Sequence, residues 1–165
     1  MVTGTTMVNR AVPGLDSELR ASLVAGLNQS LASLTDLAAA YKQAHWNVVG
    51  IDFSQLHELF DQFADQTREY VDTVAERAVT LGGTALGTIQ AAVEHTTLPP
   101  FPVDERCEIH LLEALVGRID TLDGDLRQAM AETAAEPATQ DVYIEVTRGI
   151  EKQRWMLQAH LARRS

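Results

Sequence analysis

Apolar residues recur at helical intervals through almost the whole chain. Leu19, Leu23, Leu27, Leu31, Leu34, Leu37 and Tyr41 lie on one stripe, the pattern of an amphipathic helix. It predicts a first helix from about Leu15 to Asn47, preceded by Pro13-Gly14 and capped by Asp16 or Ser17. A loop begins at Val48-Val49-Gly50-Ile51. Asp52 or Ser54 then opens a second helix carrying Leu56, Leu59, Phe60, Phe63, Tyr70, Val71, Val74 and Leu81. Gly82-Gly83 ends it, as glycine does past a helix C-terminus. Residues 84–103, with Pro99, Pro100 and Pro102, form a long connection with room for a short helix around Ile89–Val93. A third long helix is expected from near Asp104, with Ile109, Leu112, Leu115, Ile119, Leu122, Leu126 and Met130 on its face. Pro137 suits the first turn of the last helix, which carries Val142, Val146, Ile150, Leu157 and Leu161.

Four long helices joined by a short, a long and a short connection predict an all-α four-helix bundle. The long crossover between the second and third helices is the ferritin-like arrangement. Residues 1–13 read as a flexible N-terminal arm, and 14–165 as the bundle.

Composition narrows the partners. At 165 residues and 45% hydrophobic, the chain can bury one substantial core. Its 13 basic against 23 acidic side chains give a formal charge of -10. That disfavours nucleic acid and anionic membrane, and suits cations. The single cysteine, Cys107, excludes an internal disulfide framework and fits a reducing compartment, where it reads as a structural thiol. The opening residues hold no apolar leader, and no run approaches ~18 apolar residues. A cytoplasmic protein is expected.

Five side chains carry candidate chemistry: His45, His57, Asp61, Asp72 and Glu76. Imidazole with several carboxylates suits iron, zinc or manganese. On a helical wheel Asp61, Asp72 and Glu76 lie at ~40°, ~60° and ~100° from His57, all on one face. Along the axis, however, the midpoints of the His57/Asp61 and Asp72/Glu76 pairs are about 22 Å apart. Metal–ligand bonds of about 2 Å cannot span that. Other helices of the chain could complete each site, as a Glu-x-x-His motif does in di-iron bundles, but the sequence has no such motif. The geometry favours a second copy packed antiparallel across a two-fold axis, giving two identical sites per dimer. His45, near the end of the neighbouring helix, can then reach His57.

These residues stand in recognisable strings. Lys42-Gln43-Ala44-His45-Trp46-Asn47, Leu56-His57-Glu58-Leu59-Phe60-Asp61, Asp72-Thr73-Val74-Ala75-Glu76-Arg77 and Leu81-Gly82-Gly83 together resemble the Dps family of mini-ferritins. The resemblance runs from about residue 15 to 160. It implies that the two histidines and first acid of one subunit join the second acid pair of its mate in a ferroxidase centre. It also implies Fe2+/Fe3+ chemistry with hydrogen peroxide preferred over dioxygen, ferric oxide stored in a hollow homo-dodecamer, and protection against oxidative stress. Zinc is a possible competing ion.

Other residues carry paired readings. Trp46 is either an electron donor beside the site or a packing residue, and Trp155 and Tyr143 read as packing or interface. Asp120 and Asp123 share a helix flank and could ring an iron-entry pore, or simply face solvent; Asp125 lies off that flank. His95, His110 and His160 are ordinary polar residues or accessory metal ligands, and Arg77 is placed to pair with an acid. DNA-binding members of the family often carry a lysine-rich tail. Here the arm has only Arg10 and the C-terminus only Arg163 and Arg164, so DNA binding is expected to be weak or absent, with nucleoid association only if it occurs. Two rival functions remain. One is a DNA-compacting or structural shell without redox work. The other is a zinc-dependent hydrolase read from His57-Glu58-Leu59-Phe60-Asp61, which lacks the second histidine of H-E-x-x-H.

Overall fold

A computed structural model describes residues 12–162. Five helices follow in order: α1 (Ser17–Asn47), α2 (Phe53–Thr80), α3 (Ile89–His95), α4 (Glu108–Glu132) and α5 (Pro137–Ala162). Four are long, and α3 is the short helix inside the crossover. Most of the expected N-terminal arm, including Arg10, lies outside the described residues, as do Arg163 and Arg164. None of the helices is long and apolar enough to cross a membrane.

The local signals act as read. Asp16 is the cap of α1, its carboxylate accepting the Glu18 and Leu19 N–H groups. Gly82, at φ 87°, turns the chain after α2 in the left-handed conformation that favours glycine. The leucine stripes of α1 and α4 meet Phe60, Phe63 and Val74 of α2 and Tyr143, Val146 and Ile150 of α5 in one buried core. Tyr143 is a fully buried packing residue.

One boundary differs. The third long helix, α4, begins at Glu108 rather than near Asp104. The Glu105 carboxylate accepts the N–H groups of Arg106 and Cys107 (2.7 and 2.8 Å), and Cys107 forms a parallel bridge with Val49. Those bonds hold 105–107 out of the helix. Cys107 itself is exposed.

Polar groups also hold the bundle. Gln153, fully buried on α5, accepts from the Tyr41 hydroxyl (2.9 Å) and donates to Gln66 and Thr67. This network ties α5 to α1 and α2. The crossover is braced by Arg118 of α4, which is 2% exposed. Its guanidinium pairs with Asp36 of α1 (2.7 Å), donates to the Pro99 carbonyl and lies 5.9 Å from the Phe101 ring centroid. The Thr96 hydroxyl donates to the second Asp36 oxygen (2.8 Å).

Removing one partner of a buried ion pair leaves the other uncompensated. Arg118→Leu is therefore expected to lower stability by about 3 kcal/mol, read by urea unfolding at fixed protomer concentration. A change of less than ~0.5 kcal/mol would show that the crossover is held elsewhere.

Candidate metal centre

The end of α1 and the start of α2 run antiparallel, which brings His45 and His57 face to face. Their rings stack with centroids 3.7 Å apart and planes 23° from parallel. Each Nδ1 donates to the backbone carbonyl of the other residue: His45 Nδ1 to His57 O at 2.6 Å, and His57 Nδ1 to His45 O at 2.8 Å. A carbonyl only accepts, so both Nδ1 atoms carry protons. In the neutral rings that leaves each Nε2 lone pair available to a metal. Phe53 covers one flank of His57, with centroids 5.2 Å apart.

Asp61 stands one turn beyond His57 and is paired with the Lys42 ammonium. The Lys42 hydrogen bond holds its carboxyl below the ordinary carboxylate value, helped by the charge of Lys42 and, more weakly, of both histidines. Lys42 also lies 5.7 Å from the Trp46 ring centroid. Trp46 is 67% exposed beside His45. Helical spacing places Lys42 one turn before His45 and Trp46 on the same helix, the signal in the sequence that links it to this site.

Asp72 and Glu76 are exposed further along α2, which continues unbroken from Phe53 to Thr80. Among the described residues neither has an ion-pair partner. Among the same residues no three His, Cys, Asp or Glu side chains converge as a metal cage within one chain. The structure thus pairs His45 with His57, holds Asp61 one turn further along α2 on Lys42, and leaves Asp72 and Glu76 as a separate acidic pair.

The remaining candidates have other neighbours. Asp120 pairs with Arg154, and Asp123 with Arg127. His110 bonds Glu105 (2.9 Å), His95 is exposed, and His160 is half-buried. Trp155 is 66% exposed on α5. Glu58 is exposed and accepts from Gln62 (3.3 Å).

Arg77, next to Glu76, does pair with an acid. Its guanidinium binds Glu136 (2.6 Å) and the Thr139 hydroxyl (2.9 Å). Glu136 also accepts the Thr139 N–H (2.7 Å), capping α5 just ahead of Pro137. The acid-bearing turn of α2 is thereby pinned to the start of α5.

Such a bundle, with a short helix in its long crossover and a histidine–carboxylate face on the second helix, is a ferritin-like domain. A family model for that domain matches residues 24–165. The DNA protection during starvation protein of Agrobacterium fabrum is 40% identical over 153 residues, which covers 92% of this chain and 94% of that one. Among solved structures, DpsA14 from Streptomyces coelicolor is 36% identical with a TM-score of 0.88, covering 92% of this chain and 90% of its own. Dps from Microbacterium arborescens in the high iron form is 35% identical with a TM-score of 0.84, covering 89% and 97%. The chain belongs to the Dps family.

The Glu136 contact sets a pH dependence. Burial acts to raise its carboxyl, but bonds from Thr139 and Arg77 outweigh this and hold it below the ordinary 4.5. A depressed folded value stabilises fully above the unfolded value, and that contribution is lost as pH falls through the folded one. Glu136→Gln should lose about 2 kcal/mol at neutral pH, with the gap to the parent closing below pH 4.5. Unfolding midpoints measured from pH 7 down to about 3 check this; a gap that does not vary with pH would count against it.

Proposed function

We propose that this chain is the subunit of a hollow shell of twelve copies that oxidises Fe(II), with hydrogen peroxide as oxidant, at centres shared by two subunits. Ferric oxide is stored inside, and the shell protects against oxidative stress. The observation that carries the reading is the interlocked His45/His57 pair, whose Nδ1 bonds leave two Nε2 lone pairs for a metal, with Asp61, Asp72 and Glu76 following His57 on α2. A two-fold mate supplies the acid pair that one chain cannot bring there. Trp46, Val49, Ile51 and Phe53 support this, since they expose a large apolar surface around the histidines, the character of a face covered by a partner. That the Microbacterium arborescens relative has a high iron form supports iron as the metal.

Iron is the substrate. The imidazoles and Asp61 of one subunit, with Asp72 and Glu76 of the other, bind Fe(II) and favour Fe(III), because carboxylates stabilise the added charge. Two Fe(II) each give up one electron. The O–O bond of one peroxide breaks, and with two protons it leaves as two waters. Both Fenton reactants are removed together. Iron entering beside Asp61 displaces the Lys42 ammonium, so that position binds more weakly than one lined by unpaired acids. Trp46 stands beside His45 to give up an electron to stray oxidising equivalents. Asp120 and Asp123 are proposed as pore residues, and zinc as a competing ion at the same ligands.

Mixed shells test the sharing. His57→Ala with Asp61→Ala, and Asp72→Ala with Glu76→Ala, should each abolish the fast ferric absorbance after anaerobic Fe(II) loading and peroxide. Co-assembled at equal amounts, the two double variants should recover about a quarter of the parental fast phase, because each mixed dimer rebuilds one whole site. No recovery in shells shown to be mixed would mean that each chain completes its own site.

DNA binding is proposed to be weak or absent, given the charge of -10 on each chain. In ~100 mM salt, dodecamer at micromolar concentration should leave duplex DNA largely unretarded in a gel. Full retardation would reverse that reading.

A further inference from the structure

The loop joining the two histidine-bearing helices is fastened to α4, and we propose that Glu108 is a positioning residue for the iron site. This rests on the reading that His45 and His57 bind iron. Glu108 is 3% exposed. One carboxylate oxygen accepts the Ile51 N–H (3.2 Å) and the other the Asp52 N–H (3.0 Å). These amides stand at the N-terminus of α2, where a negative charge is favoured by the helix dipole. The backbone completes the clamp: Val49 N–H donates to the Arg106 carbonyl (2.8 Å), and Glu108 N–H to the Val49 carbonyl (3.2 Å).

Residues 49–52 are thereby held against α4 on both sides. They form the connection that sets the register of His45 against His57. The reciprocal imidazole–carbonyl bonds depend on that register, because a hydrogen bond weakens steeply once its distance and angle drift. Gly50 makes the clamp possible. A Cβ there would overlap the Glu108 carboxylate. Gly50 does not adopt a positive φ, so close approach is what requires glycine at this position. Glu108 touches no metal and acts through the loop.

The test uses assembled protein and Co(II), whose visible absorption reports both affinity and coordination. Glu108→Gln places an amide donor against one of the two N–H groups. Co(II) affinity should fall about tenfold with a changed spectrum, while light scattering shows the assembly intact. Gly50→Ala should reproduce the loss by displacing the carboxylate, and should add little in a Glu108→Ala background. That coupling also serves if Glu108→Gln does not assemble. A merely structural role would lower the unfolding midpoint and leave the affinity and spectrum alone. If His57→Ala abolishes Co(II) binding while Glu108→Gln and Gly50→Ala match the parent, the clamp proposal is overturned. If His57→Ala itself binds Co(II) as the parent does, the iron-site reading fails, and the clamp proposal with it.

Discussion

A continuous helix cannot fold its own ligands together, and that constraint governs this molecule. α2 runs unbroken from Phe53 to Thr80, so the His57/Asp61 and Asp72/Glu76 pairs stay about 22 Å apart whatever their side chains do. The fold treats the two ends differently. At the first, α1 returns antiparallel and delivers His45 onto His57, and the two residues lock each other through Nδ1 and carbonyl. At the other end Asp72 and Glu76 face solvent, while the adjacent Arg77 bolts the helix to α5. One end is a preorganised pair of nitrogen donors, and the other is an anchored pair of acids open to whatever docks there.

Preorganisation at the histidine end comes from bonds that cross between helices. The reciprocal imidazole bonds fix the tautomer as well as the ring orientation, leaving the lone pair of each neutral ring on Nε2. Polar contacts made far along the sequence hold the surrounding frame. Glu108 of α4 holds the loop that leads into α2, Arg118 ties α4 to α1 and the crossover, and Gln153 joins three helices in the core. Leucine burial drives these helices together, but it is not directional. The polar contacts select one register among the packings that burial alone would permit.

This division explains what could be read from the sequence. Asp16, Gly82 and Pro137 act on their own helix ends, and the leucine stripes of α1 and α4 follow a local period, so the bundle and most boundaries were legible. The separation of His57/Asp61 from Asp72/Glu76 along α2 was legible for the same reason, because helical rise converts sequence spacing into distance. The start of α4 was not, since it is set by Glu105 and by a bridge to Val49 more than fifty residues away. Glu108, Arg118 and Glu136 look like ordinary surface charges until their partners are known. The stacked geometry of His45 and His57 likewise required two helices to be seen together.

The same accounting bears on charge. Arg77, Arg118, Arg127 and Arg154 are each committed to acids of their own chain. These cations brace the bundle. The pairs also draw down the field of the acids they hold, Asp120 and Asp123 included, so the number of acids in a stretch overstates its pull on a cation. Asp72 and Glu76 have no such partner among the described residues, and their charge acts undiminished at short range. Their pull on a cation is therefore exerted about 22 Å along α2 from the His57/Asp61 pair of the same chain.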